Sequence, residues 1–400
     1  TELTPEVAMA LGRATVEVLG GDLVVVGADT RRSGPMLEGA LVAGVCSAGS
    51  DVESLGVVPT PAVAWASSDR NAPAAMISAS HNPFADNGIK LFAAGGMKLG
   101  DADQAAIEKR YLELLGAGLD GARPTAASPD SVGALRPSGG IDGWLDLITG
   151  SVPAKGLDGL RLVIDGANGA AHEVGPQPFR ELGAEVTVIG DRPDGRNINA
   201  GFGSTATEAL QAEVLAQGAD AGLAFDGDAD RLIAVDEAGQ VVDGDRVLAL
   251  LATDWRASGR LAGNTVVVTV MTNLGFHRAM AAEGIDVVST KVGDRHVLEA
   301  IEEGSFSLGG EQSGHVICRD LATTGDGVLT GLQLMDVVAR SDRPFSGLAA
   351  ASMTRVPQKL VNVRLPGPVD DPVAAIADAV AEVETELGQD GRVLVRPSGT

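Results

Sequence analysis

The sequence predicts an α/β protein of three tandem α/β domains followed by a smaller α+β unit, and two observations carry that reading. Continuous apolar runs of strand length recur at residues 23–27, 161–165 and 265–269, each followed by glycine or polar residues and then by a helical pattern. From about Met353 the rhythm changes to a strand pattern at 360–364, a helix at 372–387 and a strand at 392–395. Uninterrupted apolar strands fit sheets covered on both faces.

Each unit continues the alternation that opens it. Residues 220–235 extend the second and 285–300 the third. Proline and glycine clusters near 136–140 and 341–344 mark joins. The expected domains are therefore 1–138, 139–236, 237–350 and 351–400. Two strands and one helix are too few to close a domain, so the fourth unit reads as truncated at its C-terminus. The start at Thr1, directly in a helical pattern, reads as trimmed too.

Composition narrows the class. With 400 residues the chain has length for several cores. A net charge of -24 and a pI near 4.5 argue against nucleic acid or an anionic membrane as partner. They do not exclude an anionic small molecule, because a few arginines and one cation make a local positive site. Two cysteines, Cys46 and Cys318, cannot form a disulfide framework. No stretch approaches the roughly 20 apolar residues of a membrane span, and the first residues do not form a signal peptide, so the expected location is the cytoplasm. An apolar helix face serves a core and an interface equally, which leaves the oligomeric state open.

Two segments carry chemistry together. Ile77-Ser78-Ala79-Ser80-His81-Asn82-Pro83 presents hydroxyls on a tight polar loop. Alone it reads equally as a turn, with Pro83 fixing φ and Ser80 capping the loop. Phe225-Asp226-Gly227-Asp228-Ala229-Asp230-Arg231 presents three carboxylates between short apolar runs. A calcium loop is excluded, because Arg231 holds the sixth place, where the EF-hand needs glycine, and Ala234 the ninth. Three oxygen ligands between strands suit Mg²⁺, which favours a few carboxylates plus a phosphate. A serine hydroxyl beside a metal loop points to phosphoryl transfer. No Gly-x-Ser-x-Gly elbow, Walker loop or Gly-x-Gly-x-x-Gly spacing is present, so Ser-His hydrolysis and nucleotide binding are not indicated.

With two further segments, Gly310-Glu311-Gln312-Ser313-Gly314-His315 and Arg396-Pro397-Ser398-Gly399-Thr400, these loops resemble the four signature loops of the α-D-phosphohexomutase superfamily, in order and one per domain. The likeness covers essentially the whole chain. Through Gln312, Lys291-Val292-Gly293-Asp294-Arg295 and Thr323-Thr324-Gly325-Asp326-Gly327 it resembles the bacterial phosphoglucosamine mutase branch most.

The resemblance implies mixed sheets, a central cleft and a hexose phosphate as the small-molecule partner. It implies Ser80 as the phosphorylated residue, chosen over Ser78, and Mg²⁺ held by Asp226, Asp228, Asp230 and the phosphate on Ser80. Lys90 or His315 would be the general base, Lys90 through a pKa lowered by the metal and other cations. His81 and Asn82 would steady the loop. Arg231, Gly293, Asp294, Glu311 and Ser313 would bind substrate, with Asp294 alternatively an N-cap and Arg231 alternatively a surface ion pair. Arg396, Ser398, Gly399 and Thr400 would hold the far phosphate.

The implied reaction interconverts glucosamine 6-phosphate and glucosamine 1-phosphate, with glucosamine 1,6-bisphosphate as intermediate and activator. Phosphoglucomutase or phosphomannomutase activity, a non-catalytic sugar-phosphate binder and a metal-dependent phosphatase remain as alternatives. The family's N-terminal Gly-Thr-Asp-Gly-x-Arg-Gly segment does not occur in the sequence, and the sequence stops inside the fourth loop.

Overall fold

A computed structural model describes residues 3–116, 129–359, 361–363, 371, 373–388 and 390–396. Fifteen strands among the described residues form three mixed sheets.

The first sheet holds β1 (Leu23–Ala28), β2 (Asp51–Val57), β3 (Ala74–Ile77), β4 (Ile89–Ala93), β5 (Met97–Lys98) and β6 (Leu135–Arg136), in the order β5-β4-β3-β1-β2-β6. The second holds β7 (Arg161–Asp165), β8 (Glu185–Ile189), β9 (Ala221–Phe225), β10 (Leu232–Asp236) and β11 (Val241–Val242), in the order β11-β10-β9-β7-β8. The third holds β12 (Thr265–Thr269), β13 (Asp286–Thr290), β14 (Leu308–Gly310) and β15 (Val316–Cys318), in the order β13-β12-β14-β15.

One plan underlies all three. The opening apolar run of each unit is a nearly fully buried central strand, paired in parallel with the next two: β1 with β2 and β3, β7 with β8 and β9, β12 with β13 and β14. The chain then reverses into an antiparallel partner, β3 to β4, β9 to β10 and β14 to β15. The serine loop, the aspartate loop and the Glu311–His315 loop occupy that reversal in their respective sheets. In α/β sheets ligands gather at the carboxyl ends of parallel strands, which is where this plan puts the three loops.

Two expected joins shift. β11 pairs with β10, so the second sheet runs past residue 236. Residues 341–344 are not a boundary. After them the helix Phe345–Ser352 packs on the helix Gly244–Ala257, with Phe345 buried and Ser346 N donating to Glu237 Oε2 at 2.9 Å.

In the fourth unit the expected helix is present as Ala377–Leu387, preceded by a 3₁₀ turn at Ala374–Ile376. The expected strands are not. Residues 361–363 and 392–395 have no ladder partner, and Val361 and Val363 are 61% and 74% exposed. A strand needs a neighbour to take its N–H and C=O groups, and none of the described residues supplies one. Residues 360 and 364 lie outside the described set.

One apolar core runs through the first three units, from Val63 and Met76 through Trp144 and Phe179 to Leu332 and Phe276. It ties the domains together and fixes the loops relative to one another. Among the described residues no helix is long and apolar enough to cross a membrane.

Candidate active site

After β3 the chain leaves extended geometry. Ser80 N donates to Ser78 Oγ at 2.9 Å, and Ser80 adopts a φ of 51°, in the left-handed region that few non-glycine residues occupy. This turn separates the two competing hydroxyls. Ser78 is occupied within the loop, whereas Ser80 Oγ donates to Asp226 Oδ2 at 2.5 Å and lies 3.3 Å from His81 Nδ1. His81 was expected to steady the loop, but its ring faces the hydroxyl. Burial and the Arg231 charge lower its pKa, so the imidazole is neutral at pH 7.

Between β9 and β10 the three aspartates are buried, with one oxygen from each within 4.8 Å of the others. Asp226 Oδ1 accepts from Arg231 N at 3.2 Å. Asp228 Oδ2 accepts from Thr60 Oγ1 and from Lys90 Nζ, both at 2.6 Å, and Asp230 Oδ2 accepts from Lys90 Nζ at 2.8 Å. Oδ1 of Asp228 and Oδ1 of Asp230 are buried without a hydrogen-bond partner. Buried carboxylate oxygens left without donors are costly, and converging hard oxygens of this kind fit a divalent cation. Burial and the charges of Asp230 and Asp228 push Asp226 well above the usual carboxylate range. Burial would raise Asp230 too, but Lys90, His315 and Arg231 hold it well below that range.

Lys90 was expected to have its pKa lowered by the metal and other cations; the protein's own groups act the other way. Burial pulls it down, but Asp228 and Asp230 outweigh burial and raise it above the ordinary lysine value. The ammonium bridges the two carboxylates.

His315 is buried and its Nε2 accepts from Gly325 N at 3.2 Å, which places the ring hydrogen on Nδ1, 3.6 Å from Asp230 Oδ1. It too has no free acceptor nitrogen.

The helix Asp294–Gly304 begins one residue after Gly293, whose φ is 123° and whose N–H donates to Glu311 Oε1 at 3.2 Å. Asp294 is not the N-cap. It is the first helical residue, and its carboxylate bonds Lys98 of the first unit and faces His315 Nε2 at 3.7 Å. Glu311 is half-buried and Ser313 is exposed on the same loop. Arg231 is no surface ion pair: three-quarters buried, it lies 3.7 Å from Asp230 Oδ1, and its Nε has no hydrogen-bond partner.

Asn82 is exposed, with Nδ2 donating to Asp86 Oδ2 at 3.2 Å. Arg396 is exposed and makes no hydrogen bond or ion pair among the described residues. Ser398, Gly399 and Thr400 lie outside the described residues.

Four contributors escaped the sequence reading: Thr60 on Asp228, Lys98 on Asp294, and Arg31 and Asn199 on the serine loop. A signal existed only for Arg31, in the charged run Asp29-Thr30-Arg31-Arg32 at the carboxyl end of a buried parallel strand.

This assembly, a serine hydroxyl on a buried carboxylate triad with three mixed sheets contributing one loop each, defines a phosphohexomutase-type centre. The chain belongs to the phosphoglucomutase/phosphomannomutase family. Its α/β/α domains I, II and III match residues 1–115, 142–239 and 243–356, and its C-terminal domain matches 360–400. A phosphoglucosamine mutase of Moorella thermoacetica is 51% identical over all of this chain and 89% of its own length. A crystal structure of a phosphoglucomutase/phosphomannomutase family protein from Burkholderia thailandensis superposes with a TM-score of 0.75 at 30% identity, covering 87% of this chain and 76% of that one. The fold is also that of the N-acetylphosphoglucosamine mutase of Aspergillus fumigatus, solved with GlcNAc-6P and magnesium, at a TM-score of 0.64, 19% identity and 85% and 86% coverage.

Proposed function

We propose that this protein interconverts glucosamine 6-phosphate and glucosamine 1-phosphate through a phosphorylated Ser80 and glucosamine 1,6-bisphosphate, acting in the cytoplasm. The observation that carries the reading is the buried Ser80 hydroxyl on Asp226, inside a triad that leaves two carboxylate oxygens free. The choice of amino sugar follows the relative that is 51% identical over the whole chain.

Two transfers make up the reaction. In the first, a free hydroxyl of the sugar monophosphate forms an O–P bond as the phosphoserine O–P bond breaks, and the sugar hydroxyl proton ends on Ser80 Oγ. In the second, the bisphosphate has turned round, Ser80 Oγ forms a bond to the other phosphorus, and the serine proton ends on the released sugar oxygen. No other reactant is consumed.

Asp226, Asp228, Asp230 and the phosphate on Ser80 would hold Mg²⁺, which supplies positive charge to offset that of the phosphoryl group. The chain's own groups do the rest. Asp226 Oδ2 accepts the serine proton, and His81 Nδ1 lies 3.3 Å from the same hydroxyl oxygen. Lys90 fixes Asp228 and Asp230 from the first domain, and Arg231 adds a cation with Nε unengaged. The Gly293 N–H holds the Glu311 carboxylate, leaving its second oxygen for a sugar hydroxyl. Closing the cleft over these groups excludes water, which separates a mutase from a phosphatase.

The test is ³¹P NMR of the protein with glucosamine 6-phosphate, Mg²⁺ and a trace of the 1,6-bisphosphate. The expected result is a 1-phosphate resonance without free phosphate. Faster turnover of glucose or mannose 6-phosphate would move the assignment to those sugars, and accumulating free phosphate would replace it with hydrolysis.

A further inference from the structure

Ser80 keeps a left-handed backbone although it is not glycine, and its carbonyl is held by side chains that do not belong to the triad. Two side chains from different domains meet there. Arg31 Nη2 donates to Ser80 O at 3.2 Å and to Asn82 O at 2.6 Å. Asn199 Nδ2 donates to the same two oxygens, at 2.9 and 3.0 Å. Both targets are carbonyls, so only the amide nitrogen of Asn199 satisfies them.

Each donor is itself fixed. Arg31 is 1% exposed and paired with the buried Asp29. Asn199 has a φ of 58°, and its N–H donates to Ala167 O at 2.9 Å. Asn168 Nδ2 donates to Asn197 O at 3.3 Å, and Asp165 at the end of β7 accepts from Ala167 N at 2.9 Å and Gly203 N at 2.6 Å. The grip on the serine loop therefore extends back to the central strand of the second sheet.

We propose that Arg31 and Asn199 form a two-sided clamp on the Ser80 and Asn82 carbonyls, and that Asn199 is a positioning residue through which the metal-binding domain sets the aim of the nucleophile. The clamp holds the left-handed turn, and the turn directs Oγ at Asp226. Asn199 needs no contact with sugar or phosphate for this. Its loss leaves substrate binding intact and lets the hydroxyl wander from the in-line position, where a displacement near 1 Å costs roughly a hundredfold in rate.

The inference rests on Ser80 being the phosphorylated residue, and the test separates the two. Dephosphorylated enzyme is mixed with glucosamine 1,6-bisphosphate and Mg²⁺, and phosphate on Ser80 is followed by quench and peptide mass. Wild type, Asn199→Asp and Asn199→Gly are compared. Aspartate keeps the shape but loses the donor, and glycine tolerates the positive φ while removing the side chain. Both variants are expected to phosphorylate about 10- to 100-fold more slowly, with KM for glucosamine 6-phosphate within twofold of wild type and cooperative thermal unfolding retained. Variants that match the wild-type rate overturn the clamp and leave Ser80 in place. A raised KM with an unchanged kcat overturns it in favour of substrate contact, and a wild type never phosphorylated at Ser80 removes its basis.

Discussion

Gly227 is where the serine loop and the aspartate loop touch, and Gly227→Ala tests whether that contact sets the rate. A Cβ there would lie 2.6 Å from Ser80 O, 2.8 Å from Ile198 Cδ1 and 2.9 Å from Asn199 Nδ2. The φ of Gly227 is not left-handed, so alanine fits its backbone and the contact alone decides. The Ile198 methyl can rotate away. Ser80 O cannot, because Arg31 and Asn199 hold it. Moving from 2.6 Å to ordinary contact near 3.4 Å shifts the Ser80 backbone by about 0.8 Å. At roughly a hundredfold for 1 Å, kcat should fall about 40-fold, or about 2.2 kcal/mol in the barrier. Overpacking should lower stability by about 1–3 kcal/mol. The assay is single-turnover phosphorylation of Ser80 beside steady-state kcat and urea unfolding. A folded variant with kcat within twofold of wild type would refute the reasoning.

Three further outcomes are expected. Ser80→Ala should abolish phosphoenzyme and turnover while the unfolding midpoint stays near wild type, and retained turnover would exclude Ser80. Asp228→Asn should raise the Mg²⁺ concentration needed for half-maximal rate by at least tenfold, and EDTA should silence the wild type; activity indifferent to chelator would remove the metal reading. Asp245, buried at the start of the helix Gly244–Ala257 with Oδ2 accepting from Asn273 N, has a pKa pushed up to about 7 by burial. The folded state then binds a proton that the unfolded state releases near pH 4, so stability falls as pH rises from about 4 through 7, by up to about 4 kcal/mol. Asp245→Asn should flatten that slope in urea titrations at pH 5 and pH 8, and an unaltered slope would rule out Asp245 as its source.

Much of the fold was legible because buried parallel strands announce themselves as unbroken apolar runs, as at 161–165, and because Asp226, Asp228 and Asp230 stand between two such runs. What eluded the sequence depends on distant contacts. Thr60 meets Asp228 across 168 positions and Asn199 meets Ser80 across 119, with nothing local to mark either. Lys90 was expected by the phosphoserine, and its contacts with Asp228 and Asp230, 138 and 140 positions away, have no local signal either. Asp294 follows a glycine and opens a helix, which reads as a cap, until Lys98 from another domain takes its carboxylate. The strand patterns at 360–364 and 392–395 carry the right residues, but a strand is made by its partner as much as by its sequence.

The most direct test of the central claim is a pulse and chase of the label. Protein charged with ³²P from glucosamine 1,6-bisphosphate is separated from free ligand and chased with unlabelled glucosamine 6-phosphate and Mg²⁺. The account predicts label on Ser80 alone, leaving within a single turnover into the sugar bisphosphate pool and not into inorganic phosphate. Product formed while Ser80 stays unlabelled, or label that remains on the serine through the chase, would contradict it.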